Sequence, residues 1–510
     1  MPLTRIHQLI EGHAEQRPNA RMARDHDGRD VTWGELHEAA CDLSAELRAR
    51  GVRPGDRVLI VAENSVSLAA LLFATSRLDA WAVLVNARAA GPELERITAD
   101  AGPRVTAYTT GASSDAVAHA KAAGATQLAL PRNGPLDAVA VSGTAAVTPE
   151  PSSEGTEHVA ALLYTTGTTG TPKGVMLSHG NLLFAGQVSS EMRAMQASDI
   201  VYGALPLTHV YGLASMLTAV ATVGAQLWLE PRFRPDSLLA ALMVGVTIVP
   251  AVPQMHALLV DHARSRGIDR LEGVALRFVS SGGAPLDPEL RRRAERFYGL
   301  PLQNGYGMTE ATAGVTVTRS SLGCEDTSVG VPFPGVEVRL DIPPGAEDGV
   351  GEILTRGPHV MTGYYRKPEE TAAVLGEDGF LRTGDLGRLD SAGRLHVVGR
   401  RKELIIRSGF NVYPVEVEAA LTEHPRVIQS AVVGRKIEGG NEDVIAFVLV
   451  AEGAEVTAAE LKAHVADRLS PYKRPGAYVI ATELPATPTG KILKHRLLDH
   501  FADRLSDPMR

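Results

Sequence analysis

The chain has 510 residues, a length that implies at least two lobes rather than a single small module. Hydrophobic residues make up 44% and charged residues 22%, which excludes global disorder. With 51 Lys+Arg against 59 Asp+Glu, the formal charge of −8 argues against a protein that holds nucleic acid by neutralising phosphates. Cys41 and Cys324 form no CxxC pair, so neither a disulfide framework nor a zinc knuckle is expected, and a reducing compartment fits. The amino terminus lacks the apolar core of a signal peptide, and no run approaches the roughly 18 apolar residues of a membrane span. A cytoplasmic protein is the expectation.

Thr32 and Glu35 match a capping box that opens a helix with Leu36, Ala39, Ala40, Leu43 and Leu47 on one face; Gly51 stops it before a strand over 57–61. The alternation continues with a helix over 67–78, a buried strand over 82–85, a helix over 93–100 and a strand over 105–108. Such alternation predicts parallel sheets covered on both faces. Residues 111–157, rich in Ala, Ser, Gly and Pro, read as a weakly patterned connection. An apolar strand over 159–164 then enters a Thr/Gly loop, followed by a helix opened by His179 and Asn181, and further α/β units run through Tyr306. After Val329, short strands and Gly/Pro turns predict an antiparallel or barrel-like lobe. The basic stretch Gly399, Arg400, Arg401, Lys402 marks a boundary before a small α/β lobe.

Segment 164–174, YTTGTTGTPKG, combines glycine-freed N–H groups, hydroxyls and one ammonium, a composition suited to phosphate oxygens. It departs from G-x-x-x-x-G-K-[ST], because Lys173 follows Gly170, Thr171 and Pro172 and precedes Gly174. Alone, it would be a flexible connector, but its companions follow in order. NGYGMTE over 304–310 supplies an aromatic face for a purine, a hydroxyl and, in Glu310, a carboxylate able to hold Mg²⁺. RTGD over 382–385 sets Asp385 at a turn, where it would accept hydrogen bonds from ribose hydroxyls, and Arg400 follows. PTGK over 488–491 presents Lys491 after a glycine turn. Separately, Asp385 and Lys491 would be solvated charges and Tyr306 a packed aromatic.

Together with GRRKELIIRSGFNVYP over 399–414, these motifs run through nearly the whole chain. The chain resembles the adenylate-forming superfamily of acyl-CoA synthetases, peptide-synthetase adenylation domains and beetle luciferases, in its acid:CoA ligase branch. The resemblance implies an α/β fold with a large N-terminal domain, residues 1–399, made of parallel-sheet subdomains plus a β-barrel-like lobe. A hinge at 400–402 and a small mobile α+β C-terminal domain, 403–510, would follow. The implied reaction activates a carboxylic acid with ATP and Mg²⁺ as an acyl-adenylate, releases pyrophosphate, and passes the acyl group to coenzyme A.

By resemblance, Thr165, Thr166, Gly167, Thr168, Thr169, Gly170 and Lys173 would cradle the β- and γ-phosphates, with Glu310 and Thr165 on the metal. Gly283, Ala284, Asn304, Gly305, Tyr306, Gly307 and Met308 would wall the nucleotide, Thr309 would touch the α-phosphate, and Asp385 with Arg400 would hold the ribose. Lys491 would bridge the substrate carboxylate and ATP. An attacking carboxylate and a triphosphate repel, so a cation must offset their charge. Lys402 stands at the hinge. After the swing, Ser408 and Gly409 would line a thiol tunnel, and Tyr472 and Arg474 would meet the CoA nucleotide.

The acyl pocket is expected after 205–212, at 281–284 and at 305–308. By resemblance, His209, Val210 and Tyr211 stand where amino-acid-activating relatives place an aspartate, which counts against an amino acid, and the small, apolar lining predicts an aromatic or a short-to-medium aliphatic acid. Arg277 and His256 keep a malonate-like diacid open. His209 reads as a gate, as a substrate-side wall with a catalytic part, or as a structural histidine. No insertion of the carrier-protein-loading kind stands between Gly335 and Tyr364, which favours free CoA over the alternative of a carrier protein. A nucleotide-binding protein without turnover is the reading from another class. A homodimer is compatible with all of these, as is a lysine acyltransferase and deacylase pair acting on Lys491, whose charge such a modification would remove.

Overall fold

The computed structural model describes residues 2–129, 134, 136–143, 147–166, 172–344, 349–407, 410–437, 442–451, 453–486 and 492–505. The capping box forms as the residue types dictate. Thr32 accepts from the Glu35 amide, the Glu35 carboxylate accepts from the Thr32 amide at 2.8 Å, and the helix Trp33–Ala49 buries Leu36, Ala39, Ala40, Leu43 and Leu47.

Two large sheets form the body of the protein. In one, the strands Val159–Thr166, Trp81–Asn86, Arg57–Ala62 and Val105–Tyr108 run parallel at the centre. In the other, Leu302–Tyr306, Phe278–Ser281, Ile248–Ala251, Ile200–Gly203, Gln226–Leu229 and Arg21–Arg24 run parallel. Arg57–Ala62 is buried at every position, the pattern of a strand covered on both faces.

The helix Val66–Arg77 is mostly apolar and is buried on every side from Val66 through Ser76. One hydrophobic cluster runs through it from Trp33 and Leu36 to Leu213 and Leu227, joining both sheets. Residues 111–157 contribute the helix Ser114–Ala122 and the short strands Thr126–Gln127 and Ala140–Ser142.

Beyond Val329, the strands Glu337–Asp341, Gly351–Arg356, Leu381–Leu389 and Leu395–Arg400 form an antiparallel sheet whose first and last members are its edges. Of the two expected forms this is the open one, with no pairing that closes a barrel among the described residues. From Ile405 onward the chain builds its own sheet, Val427–Lys436, Glu442–Val450 and Ala477–Ala481. Its hydrophobic clusters contain only residues from Ile405 on. A one-turn 3₁₀ helix, Arg401–Glu403, connects the two parts.

Asp25, 2% exposed, secures the entry to the buried helix by accepting from the Val66 amide at 3.2 Å. Burial raises its carboxyl to about 6. A folded-state value above the unfolded one contributes stability that is complete below about pH 4 and is lost as pH rises through 6, by up to about 3 kcal/mol. Asp25→Asn abolishes this titration. Chemical unfolding at pH 4, 5.5 and 7 should therefore show the variant gaining on the wild type as pH rises, and parallel pH profiles would contradict the assignment.

Candidate active site

The strand Val159–Thr166 turns back on itself as Pro172–Ser178, with Thr165 opposite Lys173 and Thr166 opposite Pro172. The strands that flank the Thr/Gly segment thus pair antiparallel, rather than leading from strand to helix as was expected, and the helix His179–Met192 begins only after the return strand. Proline and glycine conceal this strand in the sequence. It forms because Val175 and Leu177 bury in the core, while Gly174 lets the backbone pass Tyr164, whose ring would lie 3.1 Å from an added Cβ. Gly167, Thr168, Thr169 and Gly170 lie outside the described residues, as does the side chain of Thr166.

Lys173 reaches the Glu370 carboxylate, and its ammonium stands 4.9 Å from the centre of the Tyr364 ring. Tyr364 comes from the short strand Gly363–Tyr364, which pairs beside Val175 on the return strand. Its hydroxyl donates to Glu310 Oε1 at 2.9 Å. Burial and the Glu310 charge raise the Tyr364 pKa, so the phenol stays protonated. Lys173, Tyr364 and Glu310 therefore form one chain of contacts drawn from distant segments. Tyr364 and Glu370 were not anticipated, because GYYRKPEE carries no glycine signature or charge pattern that would single them out.

Asn304, Gly305 and Tyr306 end the strand Leu302–Tyr306, and Ser281, on the neighbouring strand, is in register with Asn304. Asn304 Nδ2 donates to the Ser328 carbonyl, while its Oδ1 and the Ser281 hydroxyl are buried with no partner among the described residues. Gly283 has φ +77, and Ala284 follows it. After Tyr306 the chain folds tightly through Met308 and the 3₁₀ turn Thr309–Ala311. A Cβ on Gly307 would fall 1.3 Å from the Ala313 carbonyl oxygen, so that position requires glycine. Tyr306 donates to Asp385 Oδ2 at 2.6 Å, and Arg400 Nε approaches Asp385 Oδ1 at 3.3 Å from the facing register position. Burial and the Asp385 charge push the Tyr306 pKa well up.

On the expected acyl side, the Tyr211 ring lies against Gly282, where an added Cβ would stand 3.3 Å from it. His209 is exposed, and its Nδ1 accepts from the Tyr211 amide at 3.3 Å. Two residues held open for a second carboxylate are occupied elsewhere. Arg277 pairs with Asp199 at 2.5 Å and holds the Arg193 carbonyl. His256 is fully buried between the Tyr298 hydroxyl, at 2.9 Å, and the Ser280 carbonyl, with its pKa lowered to about 4 by burial. Sequence reading passed over Arg193, which turns inward beside Tyr211.

In the carboxyl-terminal part, Lys491, Ser408 and Gly409 lie outside the described residues. Lys402 is in the 3₁₀ turn Arg401–Glu403. Tyr472 stacks on Phe410, ring centres 4.7 Å apart, and Phe410 is 54% exposed. Arg474 was expected to be available to a phosphate. Its Nε and Nη2 instead donate to the Leu469 and Ala466 carbonyls, both at 2.8 Å, at the end of the helix Ala458–Ala466. Lys494, also unanticipated, bridges Glu403 and Glu418, both at 2.8 Å. Burial opposes its charge, but the two carboxylates outweigh that and raise its pKa.

The family model of the AMP-binding enzyme matches residues 10–365, and that of the AMP-binding enzyme C-terminal domain matches 416–491. A feruloyl-CoA synthase from Amycolatopsis sp is 37% identical over 504 residues, 96% of this chain and 97% of that protein. An indoleacetate–CoA ligase from Aromatoleum aromaticum is 34% identical over 504 residues, 96% of each chain. The solved structure of the o-succinylbenzoate coenzyme A synthetase from Bacillus subtilis, in complex with ATP and magnesium ion, superimposes with a TM-score of 0.81 at 27% identity, covering 96% of this chain and 98% of that one. With both family models matched in order and relatives of this identity along its length, the chain belongs to the AMP-binding enzyme family, in its acid–CoA ligase branch.

Proposed function

We propose that the protein joins an aromatic carboxylic acid to coenzyme A in two steps at one site. A carboxylate oxygen attacks the α-phosphorus of ATP and pyrophosphate leaves; the CoA sulfur then attacks the acyl carbon and AMP leaves with the bonding electrons. The observation that carries this reading is the contact chain Lys173–Tyr364–Glu310, which gathers a cation and a carboxylate at the base of the Thr/Gly hairpin. The aromatic class rests on the two curated relatives, named for feruloyl-CoA and indoleacetate.

Each group has a task that its surroundings support. The unpartnered Asn304 Oδ1 offers an acceptor to the exocyclic amine of adenine. Asp385, held by Tyr306 and Arg400, offers its carboxylate to ribose hydroxyls. Lys173, which pairs with Glu370, exchanges that carboxylate for phosphate oxygens. The described residues fit a magnesium that arrives on phosphate: they contain no cluster of three or more His, Cys, Asp and Glu that would hold an ion alone, while Glu310 keeps a second carboxylate oxygen beyond the one bonded to Tyr364. Such an ion, held by Glu310 with Thr165 nearby, would supply positive charge to the departing pyrophosphate. Lys491 is the ammonium proposed to steer the two anions together. Lys402 is the hinge about which the small domain, residues 403–510, turns between the steps.

The Phe410–Tyr472 pair offers an exposed aromatic face to the CoA purine. Arg474 Nη1 is what remains for its phosphates, since Nε and Nη2 hold carbonyls.

Incubation with ATP, CoA and aromatic acids should yield AMP, pyrophosphate and the acyl-CoA thioester; ADP with phosphate, or transfer to a carrier protein with none to CoA, would refute the reading. Lys491→Ala should lower acyl-adenylate formation by about 10² to 10³, the scale for removing one transition-state donor. Thioester formation from supplied acyl-adenylate should persist, so equal loss of both steps would remove Lys491 from its role. Tyr364→Phe deletes the bond to Glu310 while keeping the ring under Lys173. It should weaken magnesium binding, seen as a rise of about tenfold in the Mg²⁺ needed for half-maximal pyrophosphate release, about 1.4 kcal/mol; an unchanged magnesium curve would separate Tyr364 from the metal site.

A further inference from the structure

Three consecutive polar residues, Glu63, Asn64 and Ser65, follow the strand Arg57–Ala62, and all three are buried. Ser65 caps the helix Val66–Arg77 by accepting from the Leu68 amide. The other two reach across to the second large sheet. Glu63 receives Arg232, just past the strand Gln226–Leu229, at 2.8 Å. Asn64 takes the chain just past the strand Ile200–Gly203. Its Nδ2 donates to the Gly203 carbonyl at 2.9 Å and the Leu205 carbonyl at 2.8 Å, and its Oδ1 accepts from the Leu207 amide at 2.8 Å. Both amide hydrogens and the carbonyl oxygen are thereby used, and one orientation of the carboxamide alone satisfies all three bonds. Among the described residues, the Leu205 carbonyl and the Leu207 amide have no other hydrogen-bond partner.

The segment held in this way is compact. The His209 amide donates to the Pro206 carbonyl at 3.0 Å, and a Cβ on Gly212 would fall 2.2 Å from that same oxygen, so the loop closes on itself. Leu205 and Leu207 are buried in the hydrophobic cluster that joins the two sheets, while Thr208 and Tyr211 are half-buried and His209 is exposed. Burial of two leucines is non-directional and leaves the loop free to slide along the core. The three hydrogen bonds to one carboxamide fix its register. The Tyr211 ring in turn lies against Gly282, just past the strand Phe278–Ser281, so a shift of this loop is a shift of the expected acyl wall. Both sheets present the carboxyl ends of parallel strands here, the edge where α/β proteins place their ligands.

We propose that Asn64 is a positioning residue for acid binding: it hangs the loop that carries His209 and Tyr211 between the two sheets, and so sets the affinity for the carboxylic acid without setting that for ATP. The inference rests on the ligase reading above. Asn64 acts through the loop and touches no reacting atom. ATP affinity is spared because Asn304, Tyr306 and Asp385, proposed to hold the nucleoside, are fixed by Ser328, Arg400 and one another, with no bond from Asn64.

The test measures Kd by calorimetry and KM by pyrophosphate release, for ATP and separately for ferulic, indoleacetic, benzoic and octanoic acids. The full-length wild type, Asn64→Leu and Asn64→Asp are compared. Asn64→Leu keeps the approximate shape and deletes all three bonds, while Asn64→Asp keeps the acceptor for Leu207 and sets its second oxygen against two carbonyls. Each should raise Kd and KM for the acid by about 10- to 100-fold, the scale of an ångström-sized misplacement. The Kd for ATP should change by less than about twofold, as expected of an uncoupled site. Equal weakening of both ligands, or lowered stability with both Kd values intact, is what a merely structural residue would give, and either result would overturn the proposal. Should neither variant fold, hydrogen exchange in the wild type decides. Exchange over residues 203–209 should slow when acid is added and stay as it was with ATP alone; slowing by ATP alone, or no response to a bound acid, would overturn the proposal. Acid binding without pyrophosphate release would instead refute the ligase reading, while the ratio of acid Kd values would still decide the role of Asn64. Failure to bind any of the acids would overturn both.

Discussion

A single phenol holds the catalytic cleft together. Tyr364 places its ring under the Lys173 ammonium and its hydroxyl on the Glu310 carboxylate, so one side chain sets the spacing between a cation and an anion that come from segments far apart in the sequence. The spacing matters because ATP and a carboxylate repel, and the protein has to present positive charge without letting its own carboxylates consume it. The described cations of the cleft meet this condition by being paired in advance. Lys173 is with Glu370 and Arg400 is with Asp385. Such pairs keep the groups oriented at little net energetic cost in either direction, since exposed ion pairs contribute roughly 0–1 kcal/mol. In the proposed reaction a triphosphate, with several strongly accepting oxygens, would displace Glu370 from Lys173 and keep the geometry.

How much of this could be read from the chain depends on how local the physics is. The Thr32–Glu35 capping box, the buried run Arg57–Ala62 and the α/β alternation are local, set by side chains a few residues apart, and they form where the pattern places them. Asn304, Tyr306, Glu310, Asp385 and Arg400 were singled out by motif, and Tyr306, Asp385 and Arg400 meet in the fold. The hairpin was misread because Pro172 and Gly174 look like loop residues, although Val175 and Leu177 bury beside them. Arg474 is only partly legible. Its sequence neighbourhood is that of a surface turn, and only the folded chain shows its guanidinium spent on two carbonyls. Arg193 and Tyr364 were invisible because nothing near them in sequence bears on what they touch.

The turn proposed for the small domain poses a different mechanical problem, since residues 403–510 would have to move as a unit. Its hydrophobic clusters share no residue with those of the body, so little apolar contact ties it down. Within it, Lys494 clamps Glu403 in the connecting turn to Glu418 on the helix Pro414–Thr422. Glu418 is itself fixed, accepting from the Val432 amide at 2.7 Å. Lys494 follows the proposed catalytic lysine by three positions in the chain. Under the proposed rotation these half-buried ionic contacts would couple the connecting turn to Lys494 and to the helix that bears Glu418.

Those contacts also limit which changes the hinge tolerates. Removing Lys494 would leave two carboxylates facing each other, one of them buried. Burial already raises the Glu418 pKa with the ammonium present, so loss of the cation would raise it further and drive that carboxyl to take up a proton. The protein would keep its fold at the cost of slack between turn and tail. Glu403 sits next to Lys402, the proposed hinge, so that slack would fall where the proposed turn originates. The clamp and the phenol solve the same problem on either side of the cleft, since each fixes opposite charges at a set distance before any substrate arrives.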